Sequence, residues 1–200
     1  MIALIDYGAG NLTSVRKGFA AAGADLFTPA APADLFDARG VVVPGVGHFA
    51  ATAALDGAWR DAITEALQRG ALLFGICLGL QWLYEGSDEA PSVPGLGVIH
   101  GRCRRLPPVL KVPHVGWNAL EIRGASRLLA GVPDGTQTYF THSYAADITT
   151  ETVATTTHAA PFASVVETAQ VFGAQFHPEK SGDCGIRMLR NFVSICSRSD

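Results

Sequence analysis

No apolar run in this sequence approaches the roughly 20 residues that a membrane span requires, and the longest stretches are broken by Gly, Pro or charge. A surplus of basic charge is also missing. The formal net charge is −3, so neither nucleic acid nor an acidic membrane surface is implied as a partner. Cysteines are few: the four, Cys77, Cys103, Cys184 and Cys196, form no CxxC pair and no disulfide-dense spacing. That excludes a small disulfide-stapled scaffold. The scattered histidines and cysteines lack ligand spacing, so no metal site is expected. There is no repeat, low-complexity tract or interdomain linker. The opening "MIALIDYG" has neither the basic start nor the cleavage site of an export signal and reads as a first strand. These absences imply a reducing, cytoplasmic setting.

What is present is a globular balance, 48% apolar and 16% charged over 200 residues. That suffices for a sizeable core, expected as one domain over residues 1–200. The first half alternates short apolar runs with helical patterns. "IALID", "DLFTP", "GVVVPG" and "ALLFGI" read as strands. Asn11 is placed to cap a helix carrying Leu12, Val15 and Phe19 on one face. "ADLFDA" reads as a short helix. Leu55, Trp59, Ile63 and Leu67 mark a longer one that stops at Gly70. The second half is richer in Thr, Val and aromatics. "TQTYFTHSYAAD", "TVATTTH", "ASVVETA" and "QVFGAQF" read as strands, partly antiparallel. A last helix is expected from about Gly185, with Ile186, Leu189, Val193 and Cys196 on one face. The pattern predicts an α/β fold: a mostly parallel central sheet flanked by helices, with a partly antiparallel second half. In such sheets ligands gather at the carboxyl ends of the strands.

One of those ends carries "GICLG", a Gly-x-Cys-x-Gly where a strand meets a helix. It is the thiol counterpart of the Gly-x-Ser-x-Gly nucleophile elbow. The turn is tight enough that side chains at positions 75 and 79 would clash. It would raise the Cys77 sulfur at the sheet edge beside a helix N-terminus, which favours thiolate. The Leu78 N–H would point toward an oxyanion. By itself the pentapeptide is equally a buried cysteine in a Gly-rich turn. A nucleophile needs a base, and the base an orienting group. "QFHPEKS" offers both: His177 after an apolar strand and Glu179 two residues on. Pro178 biases His177 to extended backbone, in which residues i and i+2 face one side. "VVVPGVGHF" ends another parallel strand, where Gly45, Val46 and Gly47 would bring backbone N–H groups to the same edge. "YGAGN" lacks the spacing of a nucleotide-binding loop. The basic run with Arg102, Arg104, Arg105 and Lys111 reads as a solvated loop or as a contact for an acidic partner surface.

With these motifs assembled, the sequence resembles the class I, triad-type glutamine amidotransferases, a flavodoxin-like family. "DYGAGN", "PGVG", "PHVGWN" and "YFTHSY" bring it nearest to members that feed a (β/α)8-barrel cyclase of histidine biosynthesis. The resemblance covers essentially the whole chain. It implies a Cys77–His177–Glu179 triad, with Val46 and Leu78 as oxyanion donors. Glutamine would be held by Gly47, Gln81, Glu89, Ser143 and Tyr144. Asn11, Trp117, Asn118, Tyr139 and Lys180 would lie at the partner interface, Tyr139 gating ammonia. No cofactor is implied, and the assembly would be a heterodimer with the cyclase. The family's "PGVG" strand is thought to need a peptide flip before it completes the oxyanion hole. Glutaminases serving other synthases, and cysteine hydrolases on related folds, are the alternatives.

Overall fold

The computed structural model describes residues 1–198. Its central sheet has eight strands. In chain order these are β1 (Ile2–Leu4), β2 (Leu26–Phe27), β3 (Gly40–Val43), β4 (Leu72–Ile76), β7 (Glu121–Ile122), β10 (Thr152–His158), β11 (Ala160–Glu167) and β12 (Val171–Ala174). Two antiparallel pairs stand beside it: β5 (Cys103–Arg105) with β9 (Tyr144–Ala146), and β6 (His114–Ala119) with β8 (Gln137–His142). The sheet order is β2-β1-β3-β4-β12-β11-β10-β7. The first five strands are mutually parallel and the last three antiparallel to their neighbours. The parallel part therefore has a flavodoxin-like order, as expected, with its fifth position filled from the end of the chain.

Helices α1 (Leu12–Ala21) and α4 (Gly182–Arg198) cover one face; α2 (Ala58–Gln68) and α3 (Leu78–Leu83) cover the other. The alternation along each strand decides which residue goes where. Ile2 and Leu4 pack with Val15, Phe19 and Leu189, while Ala3 and Ile5 pack with Ile63, Leu80 and Trp82. Both strand faces are buried, which is why the strands read as unbroken apolar runs. Phe192 of α4 sits among Phe19, Phe74 and Phe172 at centroid distances of 6.4, 5.0 and 5.7 Å. Each such ring contributes about 1.5–3 kcal/mol by burial. No described helix is long and apolar enough to cross a membrane.

Most expected elements are present, with corrections. Asn11 caps α1 by accepting from Ser14 N at 3.1 Å. Leu55 lies outside α2: it ends a 3-10 stretch, Phe49–Leu55, and Gly57 at φ 60° turns the chain before the helix starts. The last helix starts at Gly182, three residues ahead of expectation, because Ser181 and Gly182 already turn the chain there. Three strands, β5, β6 and β7, carried no alternating apolar signal and were not expected. The basic run is only partly a loop. Cys103 in β5 is fully buried, and Arg102 and Arg104 on either side of it pair with Asp88 and Asp147.

Candidate active site

The register of the parallel strands brings the chemistry together. Val43 of β3 pairs with Gly75 of β4, and Ile76 of β4 with Ala174 of β12. The residues that follow these three strand ends, Pro44–Gly47, Cys77 and His177, therefore emerge side by side. Cys77 is the elbow. Its φ is 53°, in the left-handed region that a side chain rarely occupies. The strain persists because the surroundings leave no alternative. Cys77 N donates to Ala174 O at 2.7 Å, and Gln81 N donates back to Cys77 O at 3.1 Å as α3 begins. A Cβ on Gly75 would lie 2.5 Å from Gly79 O, and one on Gly79 would collide with Val43 O. The two flanking glycines are thus demanded by close backbone approach, as the motif predicts.

His177 is buried, in extended backbone (φ −103°, ψ 97°). Its Nδ1 lies 2.8 Å from Glu179 Oε1, and both side chains are almost fully enclosed. The pairing is as expected, but the backbone route differs. Glu179 belongs to a 3-10 turn, Pro178–Lys180, so the turn and not an extended i, i+2 relation brings the carboxylate back to the ring. Burial alone would lower the His177 pKa. The nearness of Cys77, the largest of the opposing causes, and then the bond and charge of Glu179 outweigh it and hold the imidazole at about 10. His177 Nε2 is buried and has no hydrogen-bond partner among the described residues, so Cys77 acts on it through charge. The arrangement favours a protonated His177 imidazole.

The two N–H groups expected to serve as oxyanion donors do not point together into the cleft. Leu78 N donates to Gly45 O at 3.3 Å. A trans peptide points its carbonyl and its N–H in opposite directions. With the Gly45 carbonyl turned toward Leu78, the Val46 N–H is aimed away from the site. Gly45 is hemmed in: a Cβ there would overlap the Tyr7 hydroxyl, which itself donates to Pro44 O at 2.7 Å.

A cleft of about 300 Å³ opens over Cys77, lined by Val46, Gly47, Leu78, Gln81, Glu89, Ser143 and Tyr144 among others. All the residues expected to hold substrate are in it. A second cavity of about 10 Å³ lies among Asn11, Val46, His177, Glu179 and Lys180. Val46 lines both. Glu89 is fixed by accepting from Phe49 N at 2.7 Å. The Gln81 side-chain amide is turned inward, donating to Tyr144 O at 2.8 Å and to Gln175 Oε1 at 3.2 Å.

Sequence reasoning passed over the histidines of "PHVGWN" and "YFTHSY". His142 Nδ1 is 2.9 Å from Tyr144 O, and its Nε2 is 3.0 Å from His114 Nδ1. A carbonyl only accepts, so Nδ1 of His142 carries the proton and Nε2 accepts from His114. His114 Nε2 then accepts from Asn118 Nδ2 at 3.2 Å. Burial, opposed in part by the Tyr144 bond, lowers His142 to about 3; burial and then His158 lower His114 to about 4. Both rings are neutral links in a buried chain that ends on the cleft. The sequence offered no signal for this pairing: β6 lacks clean alternation, and only the register of β6 with β8 makes His114 and His142 partners.

The residues expected at a partner interface behave differently from one another. Trp117 is 56% exposed and stands edge-on to Tyr139, outside the core. Lys180 is exposed with its Nζ 5.9 Å from the Tyr139 ring centre. Asn11 is exposed but already spent as a helix cap. Asn118 is tied inward to His114 and Thr157 O.

Comparison with known proteins agrees with this geometry. The family model for glutamine amidotransferase class-I matches residues 3–196, and the chain belongs to that family. Its relatives include proteins named imidazole glycerol phosphate synthase subunit HisH. The one from Halobacterium salinarum is 46% identical over 98% of this chain and 94% of its own length. Those from Methanothermobacter thermautotrophicus and Deinococcus radiodurans are 45% and 43% identical, over 98% and 96% of this chain and 98% and 92% of theirs. Among solved structures, a glutamine amidotransferase superposes with a TM-score of 0.77 at 18% identity, covering 98% of this chain and all of that one. PurLQS from Thermotoga maritima does so at 0.76 and 16%, covering 96% and 97%. At those identities the structures support the fold alone.

Proposed function

We propose that this chain is the glutaminase subunit of an imidazole glycerol phosphate synthase, acting in the cytoplasm as one amidotransferase domain over residues 1–200. The observation that carries the reading is the close His177–Glu179 pair behind a strained Cys77 that lines a cleft. The relatives' shared name supplies the synthase, and the resemblance of the sequence motifs places it in histidine biosynthesis.

The chemistry follows from those positions. Cys77 Sγ, its proton held on His177 Nε2, attacks the side-chain amide carbon of glutamine. Negative charge develops on the amide oxygen, where Leu78 N–H and, after the 45–46 peptide turns over, Val46 N–H would receive it. His177 returns the proton to the leaving nitrogen and ammonia departs. The glutamyl thioester is then hydrolysed by water, activated through His177, to glutamate. Glu179 keeps the ring in the productive orientation. Gly47, Gln81, Glu89, Ser143 and Tyr144 hold the glutamine.

Free ammonia is mostly protonated at neutral pH and so is a poor nucleophile in bulk water. The small cavity beside His177 has room for about one water-sized molecule, and its wall reaches Asn11 and Lys180. That supports transfer across this face to a (β/α)8-barrel cyclase, with Trp117, Tyr139 and Lys180 in the contact and Asn11 and Asn118 at its edge. The cyclase would use the ammonia to make imidazole glycerol phosphate and an aminoimidazole carboxamide ribotide.

The test is glutamate release from glutamine by the purified chain, alone and with the cyclase and its nucleotide ligand. Release only in the complex is expected. Activation by a chorismate-using synthase instead would assign the chain to a sibling glutaminase.

A further inference from the structure

We propose that Gln175 is a catalytic residue: its side-chain amide donates an N–H to Cys77 Sγ and favours the thiolate. The inference rests on the glutaminase reading of the site. Gln175 opens the motif that ends in His177 and Glu179, and it is completely buried. It follows β12, whose Ala174 carbonyl accepts from Cys77 N. Gln175 and His177 are two residues apart, so extended chain sends both toward one side. Gln175 Nε2 lies 3.7 Å from Cys77 Sγ, within the longer reach of a hydrogen bond to sulfur.

An amide offers a donor at one end and an acceptor at the other, and which end faces the sulfur decides its effect. Here the backbone settles it. Tyr144 O can only accept, so the end of Gln81 that lies 2.8 Å from it is the NH2 group. That same NH2 group lies 3.2 Å from the Gln175 side chain, which must therefore present oxygen to it. The remaining end of Gln175, facing Cys77, is NH2. The Tyr144 carbonyl is itself pinned from the other side by His142 Nδ1–H, and His142 by His114. The buried chain thus fixes a donor against the sulfur. A donor in a low-dielectric interior stabilises the anion more than the neutral thiol. No proton leaves Gln175; the thiol proton goes to His177 Nε2.

The experiment is the pH dependence of Cys77 alkylation by iodoacetamide, which needs neither glutamine nor an oxyanion hole. It is run on the complex with the cyclase, with Cys77→Ala as the background for other cysteines. Gln175→Met is close in length and removes the donor. Its alkylation midpoint is expected to rise by on the order of one pH unit, with kcat for glutamine falling more than KM rises. Ammonium-dependent synthesis reports that the complex is still assembled. Should that variant fail to fold, Gln81→Leu serves: it removes the group that orients the Gln175 amide and moves the midpoint the same way by less. An unmoved midpoint in a folded variant overturns the proposal, as does, in Gln175→Met, a loss of glutamine turnover confined to KM. If the parent complex releases no glutamate, the glutaminase reading fails instead, and that result is distinct from an unmoved midpoint.

Discussion

The backbone N–H of Leu78 donates to the carbonyl oxygen of Gly45, 3.3 Å away. One donor of the proposed oxyanion hole is therefore occupied, and the Val46 N–H faces away. Rotating one peptide would free Leu78 and deliver Val46 in the same motion. Two added donors are worth about 10²–10³-fold or more in an acyl-transfer step. Cyclase binding is thus expected to speed glutamine hydrolysis by at least that factor while leaving iodoacetamide alkylation of Cys77 nearly unchanged. Equal acceleration of both reactions would mean that the partner acts on the thiol or on access to it.

Cys77→Ala separates the two halves of the proposed reaction. Glutamine-dependent synthesis by the complex should fall by roughly 10⁴-fold or more, as for removal of other activated nucleophiles. Synthesis from added ammonium should persist. Loss of both would count against a purely glutaminase role for the sulfur.

Gly79→Ala sets a methyl group against the Val43 carbonyl, a backbone atom of a central strand that has nowhere to retreat. Overpacking of this kind costs about 1–3 kcal/mol, and a chain of this size loses about 2–4 °C per kcal/mol. Thermal unfolding should show a fall of several degrees, with glutaminase activity lost as the elbow shifts. A variant with unchanged melting would show that the elbow can relax.

The buried imidazoles predict an acid-side loss of stability. His142, at about 3, lies below the ordinary 6.5, so the unfolded chain binds the proton first. Its contribution is present in full above about pH 6.5 and is lost as pH falls toward 3, with a slope of about 1.4 kcal/mol per pH unit. Urea unfolding between pH 7.5 and 5 should therefore be steeper in the parent than in His142→Gln. Identical slopes would mean that the ring is not buried neutral. His177 has the opposite sign. Its folded value, about 10, lies above 6.5, so its contribution is complete below about 6.5 and disappears as pH rises through 10.

Trp117 is 56% exposed and contributes little to the core. Trp117→Ala should leave thermal stability within about 0.5 kcal/mol. As a central aromatic anchor it would be worth about 2 kcal/mol of binding, or roughly 30-fold in Kd for the cyclase. Isothermal titration reads this directly. An unchanged Kd would move the interface away from the antiparallel β6–β8 pair.

The sequence by itself determined much of this protein. Short apolar runs between helical patterns gave the parallel half, because strands buried on both faces must be apolar throughout. Gly75 and Gly79 around Cys77 disclosed the elbow, since only glycine fits where two backbones touch. His177-Pro178-Glu179 disclosed the imidazole–carboxylate pair that the structure brings to 2.8 Å. Strands β5 and β6 were illegible because half-exposed strands with Arg, Trp and Asn carry no clean alternation. Tertiary structure alone decided the rest. That Glu179 reaches His177 through a turn depends on how the chain leaves β12. That Gly45 blocks Leu78 depends on the orientation of the 45–46 peptide, which only the packed loop around it fixes. That Gln175 turns a donor to the sulfur depends on Tyr144 and Gln81, which are far from it in sequence. Hydrogen-bond direction in a buried network is set by whichever group has only one role to offer, and here that group is a backbone carbonyl.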